Sequence, residues 1–322
     1  MDDERHVFVE GWEATYGSPY LIDPDEEEGP DLEPLEDGDG ELAFHGGAGG
    51  FDGPVAFVDG VRRGEAHLYM TFGSDMARGV AGAHGCGSVV TAPGERPAFH
   101  DCNASRMVIW GSGQYAELPA QPGGWRWSAH SISSPDPNAP LAELQQRMRS
   151  AEGALAEDLC AEGHLTVVDG PLNYVRSRDL PVIGYVKTHY RRLLPPELHA
   201  RVPGLQSGQR TSLFSKRPDI YSCYLRIAPR ARSAGPWSGV VRIEIPASAG
   251  LAAAVDRADR AAATLPRFAG VAHVDPRAPQ NLQPISALEA HLRRQLGDGA
   301  LASRAVNDAV VQLAPVPSPS PR

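Results

Sequence analysis

Two apolar runs in this chain lead into Asp-Gly: Val55-Ala56-Phe57-Val58 into Asp59-Gly60, and Leu165-Thr166-Val167-Val168 into Asp169-Gly170. A carboxylate at the end of a buried strand is costly to desolvate, so it is retained either by a hydrogen-bonded turn or by a cation. Taken singly, Asp-Gly is an ordinary turn dipeptide. Two such strand ends side by side would instead offer anionic oxygen to a hard metal ion, as metal-assisted phosphodiester hydrolysis requires. Cations about 3.5–4 Å apart repel one another, so a two-metal site needs three or four carboxylate or imidazole groups. Asp59 and Asp169 supply two. The third candidate is Glu152, upstream of Asp169, with Glu157 and Glu143 as rivals on the same helical stretch and Glu65 on a run that follows Asp59.

The elements that must position these groups are written in the residue spacing. Leu141, Leu144, Met148, Ala151, Leu155 and Leu159 recur at helical intervals and predict a helix over 140–162, able to aim one carboxylate over the strand ends. Before it, strand-like runs over 55–58, 66–72, 87–91 and 106–110 with Gly and Pro between them predict an antiparallel meander. After it come strands at 164–168, 182–186, 222–227 and 240–245, then an alanine-rich helix over 251–265. Ser286 with Glu289 three residues on reads as a capping box for a last helix carrying Leu288, Leu292 and Leu296. A strand with Asp, further strands, a helix, and a second strand with Asp is the order of an RNase H-like α/β domain, a mixed sheet flanked by helices. Four segments are expected: an arm (1–22) whose His6-Val7-Phe8-Val9 suits an edge strand, an acidic flexible segment (23–50), the main domain (51–300) and a tail (301–322) ending in the low-complexity PVPSPSPR.

The net charge of -10 over 322 residues argues against a polyanionic partner only until it is located. Residues 23–41 hold eleven acids and no Lys or Arg, which leaves the rest of the chain near neutral. Between positions 174 and 217, nine Lys or Arg stand against two acids, a stretch suited to a polyanion. The four cysteines, Cys86, Cys102, Cys160 and Cys223, are scattered without a CxxC pair and read as reduced packing residues. No run of 18 apolar residues exists, which argues against a membrane-spanning helix, and residues 1–20 lack the apolar core of a secretory signal, so a cytoplasmic location is expected.

Spaced motifs then point one way: FVDG at 57–60, VVDGPL at 167–172, GYVKTH at 184–189, GQRTSLF at 208–214 and FAGVAH at 268–273. In this order and spacing, over roughly 52–296, the chain resembles the NurA family of nucleases. The resemblance implies an RNase H-like fold, DNA cleavage with Mn2+ or Mg2+, a homodimer, and work on DNA ends with a HerA-like hexameric ATPase. It also implies roles. Asp59 and Asp169 would be the central metal ligands, Lys187 would contact a phosphate as a compact point charge, and His273 would complete the metal shell or move a proton. Arg210 would hold the substrate backbone or order the site. Arg62, Arg63, Arg176, Arg178, Arg191 and Arg192 would meet nucleic acid through its phosphates.

The pattern has departures. Val61 stands where a small Ser often follows Asp-Gly, and the two prolines of 275–281 oppose a continuing helix after His273. Asp275 thereby becomes an alternative ligand. The reading that follows is a metal-dependent deoxyribonuclease, with two alternatives: a catalytically lapsed module that binds DNA or an ATPase, and a two-carboxylate hydrolase acting without metal on another substrate such as a glycoside.

Overall fold

Long runs rich in Val, Ala and Gly make the centre of this molecule a sheet, and its length comes from strands that continue through the residues expected to break them. The computed structural model describes residues 6–9, 32–38, 40–177, 179–189, 192–231 and 234–313. The expected meander is present, but its short runs are merged into three long strands: β3 (Val55–Phe72), β4 (Asp75–Thr91) and β5 (Ala98–Trp110). They follow two short strands, β1 (His6–Val9) and β2 (Phe44–Gly46). Asp59-Gly60 is therefore no turn; it lies inside an 18-residue strand. Gly60 is required there for a steric reason, because a Cβ would fall 2.6 Å from Glu152 Oε1 and 2.8 Å from Met148 Cγ. Gly170, by contrast, has φ +117°, a conformation that side chains with a Cβ avoid, and it does end its strand.

The remaining strands are β6 (Ser128–Ser131), β7 (Leu165–Asp169), β8 (Val182–Val186), β9 (Gln209–Thr211), β10 (Phe214–Arg217), β11 (Ile220–Arg226) and β12 (Val240–Pro246). The helices are α1 (Ala139–Ala161), the one-turn α2 (Pro196–His199), α3 (Leu251–Thr264), α4 (Gln283–Gln295) and α5 (Gly299–Leu313). All strands among the described residues belong to one 12-stranded sheet in the order β2-β9-β11-β12-β8-β7-β3-β4-β5-β6, with β1 beside β3 and β10 beside β11. β3, β4 and β5 are antiparallel, while β3, β7 and β8 run parallel. This is the mixed sheet flanked by helices that the order of elements predicts. β7 stops at Asp169 while β3 runs on, and β1 takes up an antiparallel edge on β3 at Leu68–Thr71.

Alternation along the strands sorts the core into two layers. Val55 and Phe57 pack with Val167, Ile183 and Tyr185 and with Ala258 of α3 and Ile285 of α4. Ala56 and Val58 pack on the opposite face with Ala156 and Leu159 of α1. No described helix is long and apolar enough to cross a membrane.

Two expectations about the ends are revised. The acidic segment was expected to be flexible throughout, but its described part, 32–38 and 40–50, is held by the core. Glu36 accepts from Arg210 Nη1 and Nη2 at 2.7 and 2.8 Å and from the Leu213 N–H at 3.0 Å, and Leu42 is buried. Residues 23–31 and Asp39 lie outside the described residues, as do 10–22 and the Pro-Ser tail from 314. Residues 301–313, assigned to that tail, belong to α5 (Gly299–Leu313), which buries Ala302, Ala305, Val306, Ala309 and Val310 against the long strands.

Candidate metal centre

Because Gly60 points its missing side chain at α1, Asp59 projects to the other face, the one covered by α3 and α4. Asp169 follows Val167 by two residues and Lys187 follows Tyr185 by two, so both share that face. Helix α4 lays Leu288, Leu292 and Leu296 on Val61, Ala83 and Val89. Glu289 occupies the same inward stripe. The consequence is a convergence of Asp59, Asp169 and Glu289, each presenting one carboxylate oxygen, with the three oxygens within 4.8 Å of one another.

Around this group the charges are unevenly answered. Asp59 is buried, and its Oδ1 accepts the N–H of Gly60 at 2.8 Å. Burial holds its carboxyl well above the usual carboxylate range, with Asp169 and Glu152 pushing the same way and Lys187 opposing them. Asp169 Oδ2 accepts from Lys187 Nζ at 2.6 Å, whereas its Oδ1 is buried and accepts no hydrogen bond among the described residues. Lys187 also donates to Asn281 Oδ1 at 2.9 Å. Burial alone would lower the Lys187 ammonium, but Asp169 and Asp59 outweigh it and raise it. Glu289 takes Arg277 Nη1 on one oxygen at 2.8 Å and Arg293 Nη2 on the other at 3.0 Å.

An orphaned buried carboxylate oxygen, next to an aspartate whose charged form is disfavoured by its neighbours, is a donor set that a hard divalent cation fits. Asp59, Asp169 and Glu289 would hold it. Three hard oxygen donors do not separate Mn2+ from Mg2+.

No protein-family model matches the chain, and no curated protein matches it. Among solved structures, it is similar to the NurA nuclease from Sulfolobus solfataricus. The two are 11% identical with a TM-score of 0.44, over 84% of this chain and 86% of that one. Residue roles here rest on the site's own geometry.

Of the residues expected at the site, the fold brings Asp59, Asp169 and Lys187 together and sends the others elsewhere. Glu152 is buried on α1, on the opposite face of the sheet from the three-carboxylate group. Its Oε2 accepts from Arg149 Nη1 at 2.9 Å, and the same nitrogen donates to the Asp169 main-chain oxygen at 2.9 Å. Burial raises the Glu152 carboxyl, against the pull of Arg149. Its place as third carboxylate is taken by Glu289. Glu157 accepts the N–H groups of Arg176 and Ser177, and Glu143 pairs with Arg147 at 2.8 Å. Glu65, further along β3, is buried against Arg63 at 2.8 Å.

Asp275 is not part of the converging carboxylate group, and its oxygens are turned to other partners. Oδ1 accepts the Arg277 N–H at 2.8 Å, and Oδ2 accepts from Asn281 Nδ2 at 2.7 Å, Ser286 Oγ at 2.8 Å and Arg277 Nη2 at 3.0 Å. Burial works the other way, but the hydrogen bonds from Arg277 and Asn281 hold its carboxyl well below the usual range. His273 is exposed on the turn between α3 and α4 and is not part of the carboxylate group.

The expected nucleic-acid contacts divide in the same way. Arg210 is fully buried, with Nε on Asp259 Oδ1 at 2.7 Å and both Nη groups on Glu36, so it orders the acidic segment and offers nothing to a phosphate. Arg63 is bound to Glu65 and to the Leu296 and Gly297 carbonyls at the end of α4. Arg62 is half-buried beside Gln145 of α1, and Arg176 and Arg192 are exposed. Arg178 and Arg191 lie outside the described residues.

Glu289 was missed because its pairing with Ser286 suggests a capping box. In the structure α4 begins at Gln283, with Leu282 before it, and the Ser286 hydroxyl goes to Asp275 instead. A signal was present all the same. Ile285, Leu288, Leu292 and Leu296 form a helical stripe, and Glu289 sits inside it where a solvated residue has no place.

Proposed function

We propose that this protein is a divalent-metal-dependent deoxyribonuclease, with Asp59, Asp169 and Glu289 as its metal ligands. The observation that carries the reading is the convergence of these three carboxylates beside Lys187, with one buried oxygen of Asp169 left without a partner. The chemistry a divalent cation supplies at such a group is activation of water and neutralisation of charge on a phosphoryl oxygen. The chain's own residues do the rest. Lys187 places a compact ammonium at the edge of the group, where it can meet a non-bridging phosphate oxygen. Arg277 and Arg293 leave part of each side chain exposed beside Glu289 and extend that positive rim. Contacts of this kind grip the backbone without reading sequence, which suits the processing of DNA ends.

The remaining parts of the proposal rest on the sequence alone: from the motif resemblance, Mn2+ or Mg2+ as the ion, a homodimer and a HerA-like hexameric ATPase as partner, and from the residue pattern a cytoplasmic setting. A second reading, a lapsed module that binds DNA or the ATPase without cutting, is favoured by one feature. Both oxygens of Glu289 are already held by arginines, which an arriving cation must displace. Linear single- and double-stranded DNA incubated with protein in Mn2+, Mg2+ or EDTA decides between them, with and without a HerA-like ATPase. Metal-dependent cleavage lost in Asp59→Ala and Asp169→Ala supports the nuclease. Salt-dependent binding without cleavage supports the lapsed module.

A further inference from the structure

Lys187 has a second side-chain partner besides Asp169. Its Nζ is shared between Asp169 Oδ2 at 2.6 Å and the side-chain oxygen of Asn281 at 2.9 Å. Asn281 is fully buried, and its amide can be oriented in only one productive way, because Nδ2 donates to Asp275 Oδ2 at 2.7 Å. Were the amide reversed, its oxygen would face a carboxylate and its NH2 an ammonium. Asp275 is fixed in turn by Ser286 Oγ from α4 and by Arg277, and Arg277 Nη1 continues to Glu289. One network therefore ends on two of the three converging carboxylates. At Asp169 it ties down Oδ2, which leaves the buried Oδ1 as the oxygen without a partner among the described residues.

We infer that Asn281, locked by Asp275, is a positioning residue: it holds Lys187 on Asp169 Oδ2 and so presents Asp169 Oδ1 to a divalent cation. The inference rests on the metal-centre reading above. Groups that hydrogen-bond a metal ligand, as Lys187 does Asp169, orient it, and losing one typically costs about 10–100-fold in metal affinity. Asn281 carries no charge, so its removal tests orientation separately from electrostatics. Lys187→Met is different, since removing a cation from beside the site favours a metal ion while freeing Asp169 disfavours it.

The test is Mn2+ binding to the folded full-length chain, followed by electron paramagnetic resonance titration, for wild type, Asn281→Leu, Lys187→Met and the double variant, with melting curves run in parallel. The expected result is that Asn281→Leu weakens Mn2+ binding about tenfold in the wild-type background and by less than about twofold once Lys187 is Met, because Asn281 reaches Asp169 through Lys187. A purely structural Asn281 would lower the melting temperature and leave the Mn2+ affinity of the folded protein unchanged. That outcome overturns the inference, as does an equal loss in both backgrounds. If folded wild type binds no Mn2+, or binds it equally well as Asp59→Asn, the metal-centre reading itself fails. If wild type binds and Asn281→Leu binds within about twofold, only the relay fails.

Discussion

Asp59→Asn should make this protein more stable when metal is chelated and remove its stabilisation by metal. Two ionised carboxylates with oxygens at the 4.8 Å limit of the group repel by about 3.5 kcal/mol at an effective dielectric of about 20. Lys187 offsets part of this from its place on Asp169, and Asp59 escapes part of it by taking up a proton. A net gain of about 1–3 kcal/mol on neutralising Asp59 is the remainder. The pH dependence follows from the direction of the shift. Asp59 is raised on folding, so the native state binds its proton more tightly than the unfolded chain does. Wild type therefore keeps this contribution below the ordinary aspartate range and loses it as pH rises through the folded-state value. The advantage of Asp59→Asn must grow over that window and then level off. Urea denaturation in EDTA across pH 5–9 measures it. With Mn2+ at about 100 times its Kd, wild type should gain about 2.7 kcal/mol and the variant far less. A variant no more stable than wild type in EDTA at pH 8, or an advantage that shrinks as pH rises, would refute the reasoning.

Glu289→Gln should weaken Mn2+ binding by about tenfold or more, no less than is typical when a ligand's outer partner is lost, while His273→Ala should stay within about twofold; calorimetric titration compares them. Arg210→Gln should cost about 3–5 kcal/mol in urea denaturation, since it leaves Glu36 and Asp259 facing an uncharged amide in a largely buried site, yet it should leave the salt dependence of DNA binding unchanged. Glu244 is buried on β12, where Arg242 and Lys216 outweigh its burial and hold its carboxyl at about 2. Its contribution is complete above the ordinary glutamate range and is lost as pH falls towards 2, so Glu244→Gln should flatten the stability profile between about pH 4.5 and pH 2 in fluorescence-monitored unfolding.

Much of the scaffold and part of the centre were legible in the residues. Apolar alternation and helical spacing located α1, β7, β8, β12 and α3 to within a residue or two, because each buries one face or stripe and the pattern records it. The two aspartates stood out because a carboxylate closing an apolar run needs a reason to be there. Strand lengths were not legible. Gly60 and Gly64 read as breaks, and only the approach of α1 shows that Gly60 is a packing requirement inside β3.

The third carboxylate and the role of the basic residues were decided by tertiary structure alone. Glu152 and Glu289 both occupy inward stripes of helices, and nothing local says on which face of the sheet either helix will dock. α1 covers the side towards which Gly60 points and α4 the side that Asp59 and Asp169 share, so a residue 120 positions from Asp169 completes the group and a nearer one does not. Arg210 and Asp275 were misread for the same reason. A charge in a sequence carries its sign and reach, but what consumes it depends on how the chain turns: Glu36 comes to Arg210 from 174 positions away, and the turn after Asp275 folds Arg277 and Asn281 back onto it.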